Sequence, residues 1–474
     1  MVLIQKTYQI ANDIKLFFTD TGAPPNSKDY TTLVIIHGFG FPGACFEPLQ
    51  AQSQTEPSNL RVVALNRRDF AGSTPFSDAE LEALRGDESL AQESHGNLGL
   101  HMLLFLRKFV EEEGVPPILA NDEQRTQRSG GIVVMGWSMG STFAIAPFAN
   151  PRVVNADTYK VLEKYVKGLV LYDPAHSALG FPIPSNVDAK KLYTPWTDPA
   201  PKNPRQVFDK FVPFVCSRYQ YEYAARGVDG DGFIPIPTVE SLEKTGSLER
   251  TDDCIADSWS KEELGRLTDK EATFPERGDM SLLAHQTVLE NATQKVLFDE
   301  QVAKILFPNL SITYLYAPHS LWMCVLAYME TRRRYDELAT VLAIRPVKFI
   351  ELKGADHFIV EDVDLFFTDT GPPLNSNDYT TLVIIHGMGF PGAWFQPLWS
   401  QSQALVSSNL RIVALNRPDY PGSTPFSDLE LEALRGEDDG LAQQFRDNLG
   451  RHLWLFLREF IDEEGIPLIL ALGK

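Results

Sequence analysis

Cysteine is scarce: Cys45, Cys216, Cys254 and Cys324 are the only four in 474 residues. They are scattered, which excludes both a CxxC zinc or redox pair and a dense disulfide scaffold, and predicts free thiols in a reducing compartment. Positive charge is also in short supply, with 43 Lys and Arg against 63 Asp and Glu and a formal net charge of -20. The densest basic run is Arg332-Arg333-Arg334, read as a solvated helix face, so a nucleic-acid partner is not expected. No stretch of about 18 uncharged apolar residues occurs, and Met1 to Tyr8 carries no apolar run of secretory length. The expectation is a soluble, cytoplasmic protein without a membrane span. The triplets Asn291-Ala-Thr293 and Asn309-Leu-Ser311 fit a glycosylation pattern, but matches this short arise by chance.

What is present is ordinary globular material, 43% apolar and 22% charged, in a chain long enough for two or three domains. Tyr8 to Ile10 and Lys15 to Phe18 read as short strands around an Asn12-Asp13 turn. The unbroken run Thr32 to Ile36, ending in His37-Gly38-Phe39-Gly40, reads as a strand buried on both faces. Asn59 to Leu65 supplies another strand, and Ser89 to Glu113 has helical spacing through Leu98, Met102, Phe105 and Phe109. This alternation is the rhythm of a parallel sheet. Residues 121 to 130 read as an exposed loop.

At Ile132 to Trp137 a further apolar strand breaks into Gly136-Trp137-Ser138-Met139-Gly140 and continues as a helix. A strand-to-helix turn this tight leaves almost no room two positions either side of the serine, and glycine satisfies both places. Lys167 to Asp173 is the next strand, ending on a carboxylate. From about His176 to Phe307 the pattern shifts to Pro-rich loops and amphipathic helices around Val207 to Tyr223 and Met280 to Leu306, which suggests an inserted helical cap. Strand character returns at Ser311 to Tyr316, a helix spans about Leu321 to Leu342, and Val347 to Leu352 runs into Gly354-Ala355-Asp356-His357-Phe358.

The elbow, the His-Gly-Phe-Gly turn and the Gly-Ala-Asp-His-Phe turn, in this order, make residues from about 8 to 360 resemble the α/β-hydrolase superfamily. The resemblance implies an α/β fold with a mostly parallel sheet, a helical cap inserted at about 175–308 within a domain spanning 1–362, and triad members in the order Ser, acid, His. It implies Ser138 as nucleophile and His357 as general base, with an oxyanion hole from the backbone N–H groups of Phe39 and Met139. Members usually place the acid after the next-to-last strand, but Ala317-Pro318-His319-Ser320-Leu321-Trp322 offers no carboxylate. Asp173 is the best substitute; it could equally cap the turn before Pro174. Glu330 and Asp336 lie within a helix, and Asp356 is too near His357 in sequence to reach its ring easily. His37 reads as a structural hydrogen-bonder. His95, His101, His176, His285 and His319 show no paired metal-ligand spacing, so no metal or cofactor is expected. Trp137 and Trp322 could be core or pocket wall.

Residues from Val363 to Leu470 repeat those from Ile14 to Leu119. Leu365 to Gly371 echoes Leu16 to Gly22, Ile384 to Gly387 echoes Ile35 to Gly38, and Gly422 to Asp428 echoes Gly72 to Asp78. The second copy holds His386 and Gly387 but no elbow serine and no base. Residues 363–474 are therefore expected to form an incomplete, non-catalytic α/β unit, with the first copy completing the main sheet.

Two functions follow. One is a cofactor-free serine hydrolase acting on a small to medium apolar carboxylic ester or related acyl compound through an acyl-enzyme. Superfamily members that open epoxides or haloalkanes carry Asp at the elbow, where this chain has Ser138. The other is a non-catalytic binding or regulatory protein that keeps the pocket, motivated by the absent acid and the truncated repeat.

Overall fold

The buried strands of this chain are held by their apolar runs, and their pairing sets where the functional loops emerge. In a computed structural model, residues 3–25, 27–55, 59–119, 129–222, 237–352, 355–358, 367–372, 379–385, 410–418, 420 and 423 are described. The chain divides into two compact units, Met1–Val360 and Glu361–Lys474.

The first unit contains an eight-stranded sheet built from β1 (Ile4–Ala11), β2 (Ile14–Asp20), β3 (Thr31–Ile36), β4 (Leu60–Leu65), β5 (Ile132–Trp137), β6 (Val166–Tyr172), β7 (Ser311–Tyr316) and β8 (Val347–Glu351), in the order β1-β2-β4-β3-β5-β6-β7-β8. The β1–β2 hairpin is antiparallel and joins β4 antiparallel; from β4 to β8 every pairing is parallel. Parallel strands end on one edge, so the loops after β3, β5, β6, β7 and β8 all open on the same side. Val34, Ile35 and Ile36 are completely buried, as a strand covered on both faces requires.

Among the described residues, five α-helices precede β6: α1 (Glu47–Thr55), α2 (Asp78–Leu84), α3 (Glu88–Glu113), α4 (Gly140–Ile145) and α5 (Ala156–Leu162). The α3 helix starts where Asp87 accepts from Leu90 N at 3.0 Å and stops at Gly114, whose φ of 61° only glycine adopts freely. Its buried stripe of Leu98, Met102, Phe105 and Phe109 packs on the sheet, with the Phe105 and Phe109 rings 5.4 and 5.8 Å from Phe18. Each such phenyl contributes on the order of 2 kcal/mol by leaving water. A capping box between Ser77 and Glu80 starts α2, a helix the apolar spacing does not announce.

Between β6 and β7 lies an insertion of helices: α6 (Pro204–Cys216), α7 (Val239–Gly246), α8 (Lys261–Leu267), α9 (Gly278–Leu283), α10 (Gln286–Phe298) and α11 (Glu300–Ile305). Two expected helices are corrected here. The first ends at Cys216 because Ser217 turns extended and bridges to Cys254. The expected helix from Met280 to Leu306 is three pieces: His285 leaves helical geometry, and the Asp299 carboxylate caps Gln301 and Val302 N–H at 2.8 and 2.9 Å to start a new helix. After β7 comes α12 (Trp322–Leu338). The Arg332-Arg333-Arg334 triplet lies on it, but it is more than a solvated face: Arg334 is largely buried, bonds Glu330 and Glu290, and stacks 4.3 Å over Phe181.

The second unit contains β9 (Phe367–Asp369), β10 (Thr380–Ile385) and β11 (Leu410–Leu415), ordered β10-β11-β9 with the first pair parallel and the second antiparallel. The arrangement β3-β4-β2 in the first unit has the same directions. Arg411 Nε donates to Asp369 at 3.0 Å and Ile412 N to Thr370 at 2.9 Å, as Arg61 does to Asp20 at 2.9 Å and Val62 to Thr21 at 3.0 Å. The rest of the repeated segment, including His386, Gly387 and Gly422, lies outside the described residues, as do Gly354 and most of the 121 to 130 loop. No helix among the described residues is long and apolar enough to cross a membrane.

Candidate active site

Strand β5 ends at Trp137, and Ser138 follows with φ of 54°, a left-handed conformation uncommon for a residue with a side chain. The two elbow glycines have separate causes. A Cβ on Gly140 would stand 2.1 Å from the Ile36 carbonyl oxygen of the neighbouring strand, and one on Gly136 2.5 Å from Ser141 Cα in the helix that doubles back. Ser138 N donates to Tyr172 O at 3.0 Å, which pins the elbow to the end of β6.

Asp173 follows Tyr172, also left-handed at φ 45° and fully buried. Its Oδ2 accepts from His357 Nδ1 at 2.6 Å and from the Ser320 hydroxyl, while Ala317 N approaches Oδ1 at 3.4 Å. The residues after β7, where no carboxylate stands, thus furnish a hydroxyl donor to a carboxylate that comes from β6. Nothing in the sequence points to Ser320, because a serine in a loop carries no spacing signal. Asp356 is turned elsewhere: its Oδ1 accepts from Phe358 N at 3.0 Å. Glu330 and Asp336 are engaged with the arginines of α12.

His357 is buried, its ring 5.2 Å from that of Trp137, and its carbonyl accepts from Trp137 Nε1 at 2.7 Å. Ser138 and His357 line one cavity of about 200 Å³. The sheet side contributes Phe39, Phe41 and Trp137 to its wall, and the insertion Trp196, Phe211 and Met280. Met139 also borders it. The arrangement can hold a proton between a carboxylate and an imidazole beside a serine in an apolar recess.

His37 is held as a neutral ring: Nε2 accepts from Arg67 N at 3.0 Å, so Nδ1–H is the donor to Gly38 O at 3.0 Å, and burial together with the Arg67 charge pushes its pKa well down. The four cysteines are free. Among the described residues, Asp173, Cys324 and His357 group closely enough to hold an ion. Yet Asp173 Oδ2 and His357 Nδ1 are 2.6 Å apart, a hydrogen-bond spacing. Two ligands of one tetrahedral zinc stand about 3.3 Å apart, so this spacing fits a shared proton and not a shared ion.

Among solved structures, the chain is similar to potato (Solanum tuberosum) epoxide hydrolase I at 13% identity and TM-score 0.39, over 76% of this chain and 94% of that one. It is similar to the carboxylesterase CesB of Bacillus subtilis at 13% identity and TM-score 0.35, over 76% and 86%. A carboxylesterase structure of the thaumarchaeon Nitrososphaera gargenis aligns at 12% identity and TM-score 0.34, over 75% and 92%. No curated protein matches the chain. The model of the alpha/beta hydrolase family matches residues 33–368, most of the sequence and the sheet from within β3 through β8. The chain belongs to the alpha/beta hydrolase family.

Proposed function

We propose that the protein is a serine hydrolase that cleaves a small to medium apolar carboxylic ester, or a related acyl compound, through an acyl-enzyme. The observation that carries this reading is the 2.6 Å separation of Asp173 Oδ2 and His357 Nδ1, in a cavity wall that also includes Ser138. Ser138 Oγ attacks the substrate carbonyl while His357 Nε2 takes its proton. Asp173 accepts the Nδ1 proton, which fixes the tautomer and stabilises the imidazolium that forms. The N–H groups of Phe39 and Met139 receive the developing oxyanion. His357 then returns the proton to the departing alkoxide, and water, deprotonated by the same ring, releases the acid from Ser138.

The helical insertion acts as a cap that excludes water. A cavity of about 200 Å³ with aromatic and methionine walls favours a small apolar acyl group, since drug-sized ligands occupy pockets of about 300–1,000 Å³. Of the two motives for a non-catalytic binding protein, the truncated repeat and an imidazole without a carboxylate, the contact of Asp173 with His357 weighs against the second. A fluorophosphonate probe tests the proposal: labelling of the wild type that disappears in Ser138→Ala is expected, and equal labelling of the two proteins would sink it. Asp173→Asn is expected to reduce ester turnover by about 10⁴-fold; full activity would remove Asp173 from the triad.

A further inference from the structure

Arg67 lies just past β4, buried, with its guanidinium shared among three parts of the molecule. Toward the turn after β3, Nε donates to His37 O at 3.1 Å and Nη2 to Gly38 O at 2.8 Å. Toward the insertion, it forms a two-point pair with Asp279 of α9, Nη2 to Oδ2 at 2.7 Å and Nη1 to Oδ1. Its plane also lies 4.3 Å over the ring of Phe143 in the elbow helix α4.

The Gly38 carbonyl is the significant partner. No peptide bond among the described residues is cis, so the Gly38–Phe39 peptide is trans and its C=O and N–H point in opposite directions. Two donors hold that carbonyl, Arg67 Nη2 and His37 Nδ1. Fixing the oxygen toward Arg67 aims the Phe39 N–H the other way, and Gly38, Phe39 and Ser138 border the cavity. Donation to the carbonyl also polarises the peptide and strengthens its N–H as a donor. Gly38 permits the close approach, since a Cβ there would meet Ser138 Cβ at 3.0 Å. Because Asp279 neutralises the guanidinium, this is an effect of orientation more than of charge.

We infer that Arg67 is a positioning residue for the oxyanion-binding peptide, and that Asp279 in the insertion holds Arg67 in place, so that docking of the insertion sets the direction of the Phe39 N–H. The inference rests on the reading of Phe39 as an oxyanion donor proposed above. It predicts a loss in the transition state and not in substrate binding.

Arg67→Lys in the full chain keeps the positive charge, but one ammonium cannot serve two carbonyls and both carboxylate oxygens. With p-nitrophenyl butyrate, kcat is expected to fall about 10- to 100-fold with KM within about twofold, since removal of a whole oxyanion donor costs about 10²–10³. Affinity for an alkyl trifluoromethyl ketone, whose adduct carries the oxyanion, is expected to fall by the same factor. Should Arg67→Lys not fold, Arg67→Met combined with Asp279→Leu removes the buried pair without stranding a charge and is read the same way. Unchanged kcat in the folded variant, or a rise in KM alone, overturns the inference while leaving the hydrolase reading intact. A wild type that neither turns over the ester nor takes the fluorophosphonate label overturns both.

Discussion

The indole N–H of Trp137 donates to the carbonyl of His357 at 2.7 Å, joining residues 220 positions apart. Trp137 directly precedes Ser138, so one side chain ties the elbow to the loop that bears the imidazole. Trp137→Phe keeps a ring in place and leaves the buried carbonyl without this donor, a loss of about 1–3 kcal/mol. The expected result is a lower denaturation midpoint and a several-fold fall in kcat at similar KM, read by urea unfolding and ester kinetics. A variant equal to wild type in both would show that the bond positions nothing.

The glycines of the chain divide by what surrounds them. Gly140→Ala forces a Cβ to 2.1 Å from the Ile36 carbonyl oxygen, backbone against backbone, and is expected to destabilise by more than about 2 kcal/mol and to abolish probe labelling. Gly96 is in the α3 interior with nothing within 4 Å of its added Cβ. There Ala is expected to stabilise by about 0.5–1 kcal/mol, because it restricts the unfolded chain and favours helix. Chemical denaturation of the two variants side by side checks the opposite signs.

Acid sensitivity follows from a buried histidine. Burial, with a smaller contribution from Lys295, lowers the pKa of His95 to about 4, and its Nε2 has no hydrogen-bond partner among the described residues. The unfolded chain takes up this proton near pH 6.5 and the folded one only near pH 4, so the unfolded state binds more protons between those values. Stability is therefore full above about pH 6.5 and is lost as pH falls toward 4, on the order of 3 kcal/mol at about 1.4 kcal/mol per unit. Thermal melts from pH 8 to 4 are expected to show this slope, and His95→Gln to reduce it, while His37, His101 and His176, also shifted down by burial, keep their share. A slope unchanged by the substitution would place the acid sensitivity elsewhere.

Phe211 of α6 lines the cavity and packs on Phe39 and Trp196 with centroids 5.2 and 5.5 Å away. Phe211→Ala is expected to shift kcat/KM among p-nitrophenyl esters toward longer acyl chains, together with a stability loss of about 3–5 kcal/mol. An unaltered chain-length profile would place the acyl group elsewhere.

Much of the sheet is legible along the chain because strands covered on both faces need uninterrupted apolar runs; Thr32 to Ile36 and Ile132 to Trp137 are read correctly for that reason. The insertion is less legible. Four of its helices, α6, α7, α8 and α11, start on side-chain caps such as Asp299, and not where apolar periodicity begins. The partners of Asp173 are invisible to spacing, because His357 and Ser320 lie 184 and 147 positions away.

Residue order by itself determines that a serine stands between two glycines at a strand-to-helix turn, since only glycine satisfies the contacts that such a turn imposes. It also determines that a histidine follows the strand β8 and that the N-terminal third recurs near the other end. Only the tertiary structure decides which carboxylate meets His357. Parallel pairing from β5 through β6 and β7 to β8 brings their four loops to one edge, and the left-handed turn at Asp173 directs its carboxylate to the ring. The same is true of Arg67 and Asp279, whose contact spans 212 positions and depends on where the insertion docks. Local preferences act over a few residues, whereas these contacts depend on the packing of whole elements.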